Sequence, residues 1–362
     1  MKAAAPGESP MDRVLRVLVI DDSAYVRKVV RQILSRSPFI EVVGTARDGR
    51  EALELVEQLR PDVITCDLIM PELDGVGFVR EQMRRRPVPI IIMSIASETG
   101  DAALTALDAG AVDFVQKPTA LATEKIFEVG GELIEKVKAA GSITLARIHG
   151  GGGPHVEATA APAADTKAAA GSRSVDVVVL GISTGGPQAL KTLVPQLPAD
   201  FPVPLALVMH MPVGYTEMYA RKLNEISALD VREAREGDEM RAGRALLAPA
   251  GRHLSFRREV GGGVVAHLDA RPFDTLHRPA VDVMFQSAAE VYGERVLGVV
   301  MTGMGDDGKQ GAAWIKARGG LVYTESEESC VVYGMPLAVV EAGLSDRGVP
   351  LDRMAQAILE VV

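Results

Sequence analysis

Between residues 141 and 173 the chain carries a run that no hydrophobic core can absorb. Gly150-Gly151-Gly152-Gly153-Pro154 leads into an alanine-rich stretch broken at Pro162, with little large apolar content. Such a segment buries too little surface to offset its ordering entropy, so it reads as a flexible linker of about thirty residues. On either side of it, short β-branched runs alternate with stretches of helical period. That alternation predicts two α/β units, each a parallel sheet with crossover helices. A chain of 362 residues has material for two such cores. The expected boundaries are 13–132 for the first unit, 133–173 for a helix end and the linker, and 174–362 for the second.

In the first unit the pattern predicts strands at Val14 to Ile20, Ile40 to Ala46, Asp62 to Cys66, Pro89 to Met93 and Ala111 to Val115. Helices are expected near 24–35, 50–59, 76–85, 99–108 and 124–138, giving a doubly wound five-stranded sheet. The second unit opens with Val175 to Leu180, then a helix over Pro187 to Val194 and a strand at Leu205 to Met209. Further strands are expected at Val296 to Met301 and Leu321 to Thr324. Leu254 to Val260 and Val264 to Leu268 flank three glycines and read as a hairpin inserted in a Rossmann-like α/β fold.

Composition narrows the function classes. A net charge of -9 disfavours nucleic acid and anionic membranes as partners. The longest apolar runs, such as Pro89 to Ala96 and Val175 to Ile182, fall far short of the roughly 20 residues that span a bilayer. No apolar stretch follows Lys2 before Pro6, so a secretory leader is not expected, and Met11 is an alternative start. Cys66 and Cys330 lack the spacing of a zinc site or a disulfide framework, which fits a reducing cytoplasm.

Ligands of an open parallel sheet bind beyond the carboxyl ends of its strands. In the first unit those positions hold Asp21-Asp22, Asp67, Ser94 and Lys117-Pro118. Three converging carboxylates repel one another, and a hard divalent cation, magnesium above all, is the common remedy. An aspartate beside such an ion can accept a phosphoryl group. With Met70-Pro71-Glu72-Leu73-Asp74-Gly75 and the run from Gly110 to Pro118, these residues resemble a response-regulator receiver domain over about residues 13–132. The resemblance implies Asp67 as phosphoacceptor, Mg2+ held by Asp21, Asp22, Asp67 and the Ile69 carbonyl, and Lys117 on the phosphoryl group. The switch hydroxyl is Ser94 or, one turn on, Ser97, and Phe114 takes the aromatic switch position or is simply a core aromatic.

In the second unit, the strand at Val175 runs into Gly181-Ile182-Ser183-Thr184-Gly185-Gly186-Pro187 and then a helix. A serine at such a turn is exposed for attack, and the helix N-terminus favours a developing oxyanion. The next strand ends in His210, and a third ends in Thr302-Gly303-Met304-Gly305-Asp306-Asp307-Gly308. Serine, histidine and aspartate thus come to one sheet edge, in a chain order unlike that of α/β-hydrolases. Together with His277-Arg278-Pro279-Ala280-Val281-Asp282-Val283 and Glu328 to Pro336, these motifs are similar to the chemotaxis protein-glutamate methylesterase (CheB) catalytic domain over 174–362.

That resemblance implies a serine hydrolase acting on glutamate methyl esters of chemoreceptors, and on receptor glutamines, with a chemotaxis histidine kinase as phosphodonor. By it Ser183 is the nucleophile, His210 the base, Asp307 the orienting carboxylate and the Met304 amide an oxyanion donor, with no cofactor for the ester chemistry. Thr184 would tune His210, touch substrate or merely cap its helix. Ile182 stands where a smaller residue is expected and could crowd the pocket; His277 belongs to a segment similar to one near the family's site; His253 and His267 read as ordinary structural or surface histidines. Two other classes compete. Gly303, Gly305 and Gly308 match a dinucleotide-binding fingerprint, although Asp306 and Asp307 would face its pyrophosphate. A receiver joined to a catalytically silent binding module is the other.

Overall fold

A computed structural model describes residues 13–117, 123–143 and 175–362, without the side chains of 96–99 and 123–129. Residues 144–173 of the expected linker and Pro118 lie outside the described residues, whereas Gly141 still ends a helix and Ile143 is buried in an apolar cluster. The first sheet has the order β2-β1-β3-β4-β5, with β1 Leu15–Ile20, β2 Ile40–Ala46, β3 Val63–Asp67, β4 Ile90–Ser94 and β5 Asp113–Gln116, all parallel. Its helices are α1 Ala24–Leu34, α2 Gly49–Leu59, α3 Gly75–Arg85, α4 Ala96–Asp108 and α5 Thr123–Gly141. Polar side chains start three of them: Ser23, Asp48 and Asp74 each accept a first-turn amide. Helix α4 begins earlier than its periodicity indicates, so Ser94 ends β4 while Ser97 lies inside the helix.

The second sheet is larger than the sequence pattern indicates. It has seven parallel strands in the order β14-β13-β12-β6-β7-β9-β8: β6 Val177–Ile182, β7 Leu205–Met209, β8 Asp230–Glu233, β9 Arg244–Leu247, β12 Val296–Val300, β13 Leu321–Glu325 and β14 Arg347–Val349. Strands β8, β9 and β14 were not anticipated. They are only three or four residues long, so their pairing partners rather than their own pattern make them strands. The inserted hairpin, β10 His253–Arg258 with β11 Val264–Asp269, is present as an antiparallel pair apart from the main sheet.

Helices α6 Gly186–Leu193, α7 Thr216–Glu225, α8 Val281–Tyr292, α9 Lys309–Ala317, α10 Met335–Glu341 and α11 Leu351–Leu359 complete this unit. Every residue of β6, β7 and β12 is buried, as expected of strands covered on both faces. Because β7 and β12 flank β6 on opposite sides, the chain reverses its winding direction at β6. That reversal opens a crevice beyond the carboxyl ends of these three strands.

The two units share packing. Helix α4 lies against α6 and α7, Lys191 pairs with Asp108, and the Gln188 side chain donates to the Leu107 carbonyl. Near β5 and α5, buried Val332 joins the first unit's own apolar cluster, with Met304 and Val331 packed against it.

Candidate active site

The acidic pocket forms as its sequence suggests. Ligand oxygens of Asp21, Asp22 and Asp67 lie within 4.8 Å of one another. Lys117 Nζ sits 2.8 Å from Asp67 and 3.0 Å from Asp21. Burial raises the carboxyl pKa of both Asp21 and Asp67, and neighbouring carboxylates add to it, against the opposing pull of Lys117. One lysine therefore does not neutralise the pocket, and a divalent cation with oxygen ligands fits this donor set. Ile69 lies just past β3 with its side chain exposed.

Beside this pocket the second unit reaches in. Ser94 is almost wholly buried, and the Tyr215 hydroxyl donates to its Oγ at 2.7 Å. The Tyr215 ring also meets buried Phe114, with ring centroids 4.5 Å apart. Nothing in the sequence singles out Tyr215, which is an aromatic in the loop after β7.

At the crevice of the second sheet, Ser183 and His210 follow paired positions, Ile182 on β6 opposite Met209 on β7. The His210 amide donates to the Ile182 carbonyl, and the Ser183 amide to the Thr302 carbonyl beyond β12. Ser183 thus stands between the two neighbouring strand ends. Glycine is required around it. A Cβ on Gly303 would lie 2.8 Å from the Ser183 Cβ, and Gly185 holds φ +82° against Val331. Ile182 is fully buried within the apolar core, so it does not crowd the pocket. Thr184 is buried and does not cap α6, whose N-cap is Gly185 without a side-chain bond. Thr302 Oγ1 donates to its carbonyl.

His210 Nε2 lies 2.8 Å from Asp307 Oδ2. The same carboxylate accepts the amides of Val281 and Asp282 at 2.8 and 2.9 Å, the first turn of α8. Burial would raise the Asp307 pKa, but the His210 bond and charge and these two amides hold it below the ordinary value. An ionised Asp307 requires the proton on Nε2 and leaves Nδ1 as the basic nitrogen. That Nδ1 is buried and has no hydrogen-bond partner, so no bond to Ser183 is made in this state. Asp306, by contrast, is exposed and paired with Lys309.

Several supporting groups escaped the sequence reading. Asp282 accepts the Gly308 and Gly311 amides, so Asp282 and Asp307 each tie down the start of the other's helix. Burial pushes the Asp282 carboxyl up to about 6. Fully buried Glu325 accepts the Thr302 amide and the Ser329 hydroxyl. Asp282 stands in a motif that already drew attention; Glu325, one residue past an expected strand, carried no signal. Gly303 is pinned by the Val332 carbonyl and by the Gly334 and Met335 amides, which sets the place of Met304 next to it. His277 stacks face to face on His210.

Known proteins share both halves. Residues 178–358 match the family model for CheB methylesterase, and residues 17–127 that for the response regulator receiver domain. The protein-glutamate methylesterase/protein-glutamine glutaminase 5 of Myxococcus xanthus is 54% identical over 94% of this chain and 96% of its own length. The protein-glutamate methylesterase/protein-glutamine glutaminase of Symbiobacterium thermophilum is 45% identical over 97% of this chain and 98% of its own. The crystal structure of the Thermotoga maritima CheB methylesterase catalytic domain superposes with a TM-score of 0.51, at 41% identity, over 52% of this chain and all of that one.

Proposed function

The chain belongs to the CheB methylesterase family, and on that premise we propose that it hydrolyses glutamate methyl esters on chemoreceptors, and deamidates receptor glutamines, under control of its receiver. The observation that carries the reading is the buried His210 ring, bonded through Nε2 to an ionised Asp307 and with a buried Nδ1 that has no hydrogen-bond partner, at the end of the strand paired with the one that leads into Ser183.

The chemistry follows from that arrangement. Ser183 Oγ bonds to the ester carbonyl carbon as its proton passes to His210 Nδ1, the reverse of the nitrogen roles in chymotrypsin-like enzymes. Asp307 stabilises the imidazolium so formed. The Met304 amide donates to the developing oxyanion. The carbon–oxygen bond to the methoxy group breaks, methanol leaves with the proton from Nδ1, and a glutamyl–Ser183 ester remains. Water then gives a proton to Nδ1 and attacks the acyl carbon; the bond to Ser183 Oγ breaks as the proton returns from Nδ1 to Oγ, and the glutamate carboxyl group is released. With a primary amide the same steps release ammonia.

In the receiver, Asp67 accepts the phosphoryl group from a chemotaxis histidine kinase. Asp21, Asp22, Asp67 and the Ile69 carbonyl would hold Mg2+, which when bound neutralises charge on the transferring oxygens. Lys117 contacts the new phosphoryl group and Ser94 hydrogen-bonds it. A Ser94 hydroxyl drawn toward that group gives up Tyr215, which loosens the receiver from the loops around Ser183. The domain boundaries 13–132 and 174–362 and a cytoplasmic site of action belong to the same reading; among the described residues no helix is long and apolar enough to cross a membrane.

The test is methanol release from methylated receptor, with and without a small-molecule phosphodonor. Wild type should turn over faster with phosphodonor and Ser183→Ala should be inactive in both conditions. Equal inactivity of wild type and variant would favour a receiver-linked binding module instead.

A further inference from the structure

A hydrogen bond to Asp307 fixes one corner of the His210 ring but leaves its plane free to turn about that contact. The plane is set from another direction. His277 lies in the segment between β11 and α8, and its ring stacks on that of His210 with centroids 3.9 Å apart and 19° between planes. No hydrogen bond engages the His277 ring among the described residues, so the ring face is its contact with the base. The segment is tied down on both sides of His277. His253 Nδ1 accepts the Ala280 amide, His253 Nε2 meets the Pro272 carbonyl and the Thr275 hydroxyl, and the Gly251 amide donates to the Arg278 carbonyl. Asp307 is gripped by the α8 amides directly after the same segment. One anchored piece of chain therefore constrains His210 twice, through its edge and through its face.

We propose that His277 is a positioning residue for the hydrolysis, its stacked ring setting the plane of the His210 ring, the base of the reaction. This deepens the esterase reading above and rests on it. The role demands a ring that carries no charge when His210 becomes imidazolium at 3.9 Å. Burial first, then the charges of His210 and of Lys136 on α5, push the His277 pKa down to about 3, with only Asp307 opposing. His277 is thus held neutral beside His210, and it neither donates nor accepts in the reaction.

The experiment compares His277→Phe with His277→Leu in the full-length protein, using methanol release from methylated receptor. Both replacements are neutral and fill the space, but only phenylalanine keeps a flat face. Leucine should lower kcat by about 10–100-fold with KM within about twofold, as expected when a reacting group is displaced by an ångström or less. Phenylalanine should stay within about threefold of wild type. Thermal unfolding of both variants checks that they are folded. A leucine variant as fast as wild type, or a phenylalanine variant as slow as leucine, overturns the proposal; the second result would mean that the imidazole itself reacts. Wild type no more active than Ser183→Ala would instead bring down the esterase reading. Neutrality has its own readout. A histidine depressed to about 3 from 6.5 costs the folded state stability as pH falls through that window, because only the unfolded chain takes up the proton. Both variants should lose that part of the acid sensitivity, and retention of the wild-type pH dependence would contradict a buried neutral ring.

Discussion

Asp67 and Asp307 are both buried carboxylates at the carboxyl edge of a parallel sheet, yet their environments push them in opposite directions. Burial acts alike on the two. What differs is the company. Asp307 meets two helix-start amides and an imidazole, which together outweigh the burial and keep it ionised. Asp67 shares one lysine with Asp21 and has Asp22 close by, so its charge stays incompletely met. The first arrangement is finished by the fold, with every one of these bonds already made. The second leaves charge that a cation would meet, which fits the proposed switch role.

The comparison is most exposed to Asp307→Asn. The amide can no longer hold Nε2 protonated and Nδ1 basic, and kcat should drop by about 10⁴-fold in the methanol assay. Asp306→Asn, which alters only an exposed pair with Lys309, should leave turnover within about twofold. Near-normal turnover by the Asp307 variant would show that the carboxylate is not the orienting group.

The receiver side yields a smaller effect of opposite sense. A carboxyl whose pKa is raised in the folded state binds its proton more tightly there, so ionising it costs stability as pH rises through the shifted range. Replacing Asp21 by Asn removes that cost. At pH 7 without divalent cations the variant should therefore unfold about 2–4 °C above wild type. Adding Mg2+ should raise the wild-type midpoint and barely move that of the variant. An Asp21→Asn protein less stable than wild type in chelator would mean that Lys117 already satisfies the pocket.

The smallest change tests how the two sites are joined. Tyr215→Phe deletes the hydroxyl held by Ser94 and keeps the ring against Phe114. One hydrogen bond is worth about 1 kcal/mol, so basal methanol release without phosphodonor should rise by roughly two- to fivefold. The fully phosphorylated rate should be unchanged. A fall in basal rate would indicate that the receiver assists the esterase instead of covering it.

Both α/β units, the five receiver strands and the residues at each strand end were legible in the chain itself. Strand and helix periods are local, and loops past parallel strands must carry the chemistry whatever the details of packing. Ser183 and His210 were recognisable because each directly follows an apolar strand, and Asp307 because the loop after a third resembles the family's motif. Other features were decided by tertiary structure. Strands β8, β9 and β14 are too short to show a period and exist through their neighbours' hydrogen bonds. The orientation of His210, with Nε2 to Asp307 and its face on His277, depends on angles between groups about 70 to 100 positions apart along the chain. Tyr215 reaching Ser94 depends on how the two units dock, and no local pattern encodes that. A linear pattern specifies which residues arrive at a sheet edge; only close packing of distant elements selects the side-chain rotamers and ring planes that make them a site.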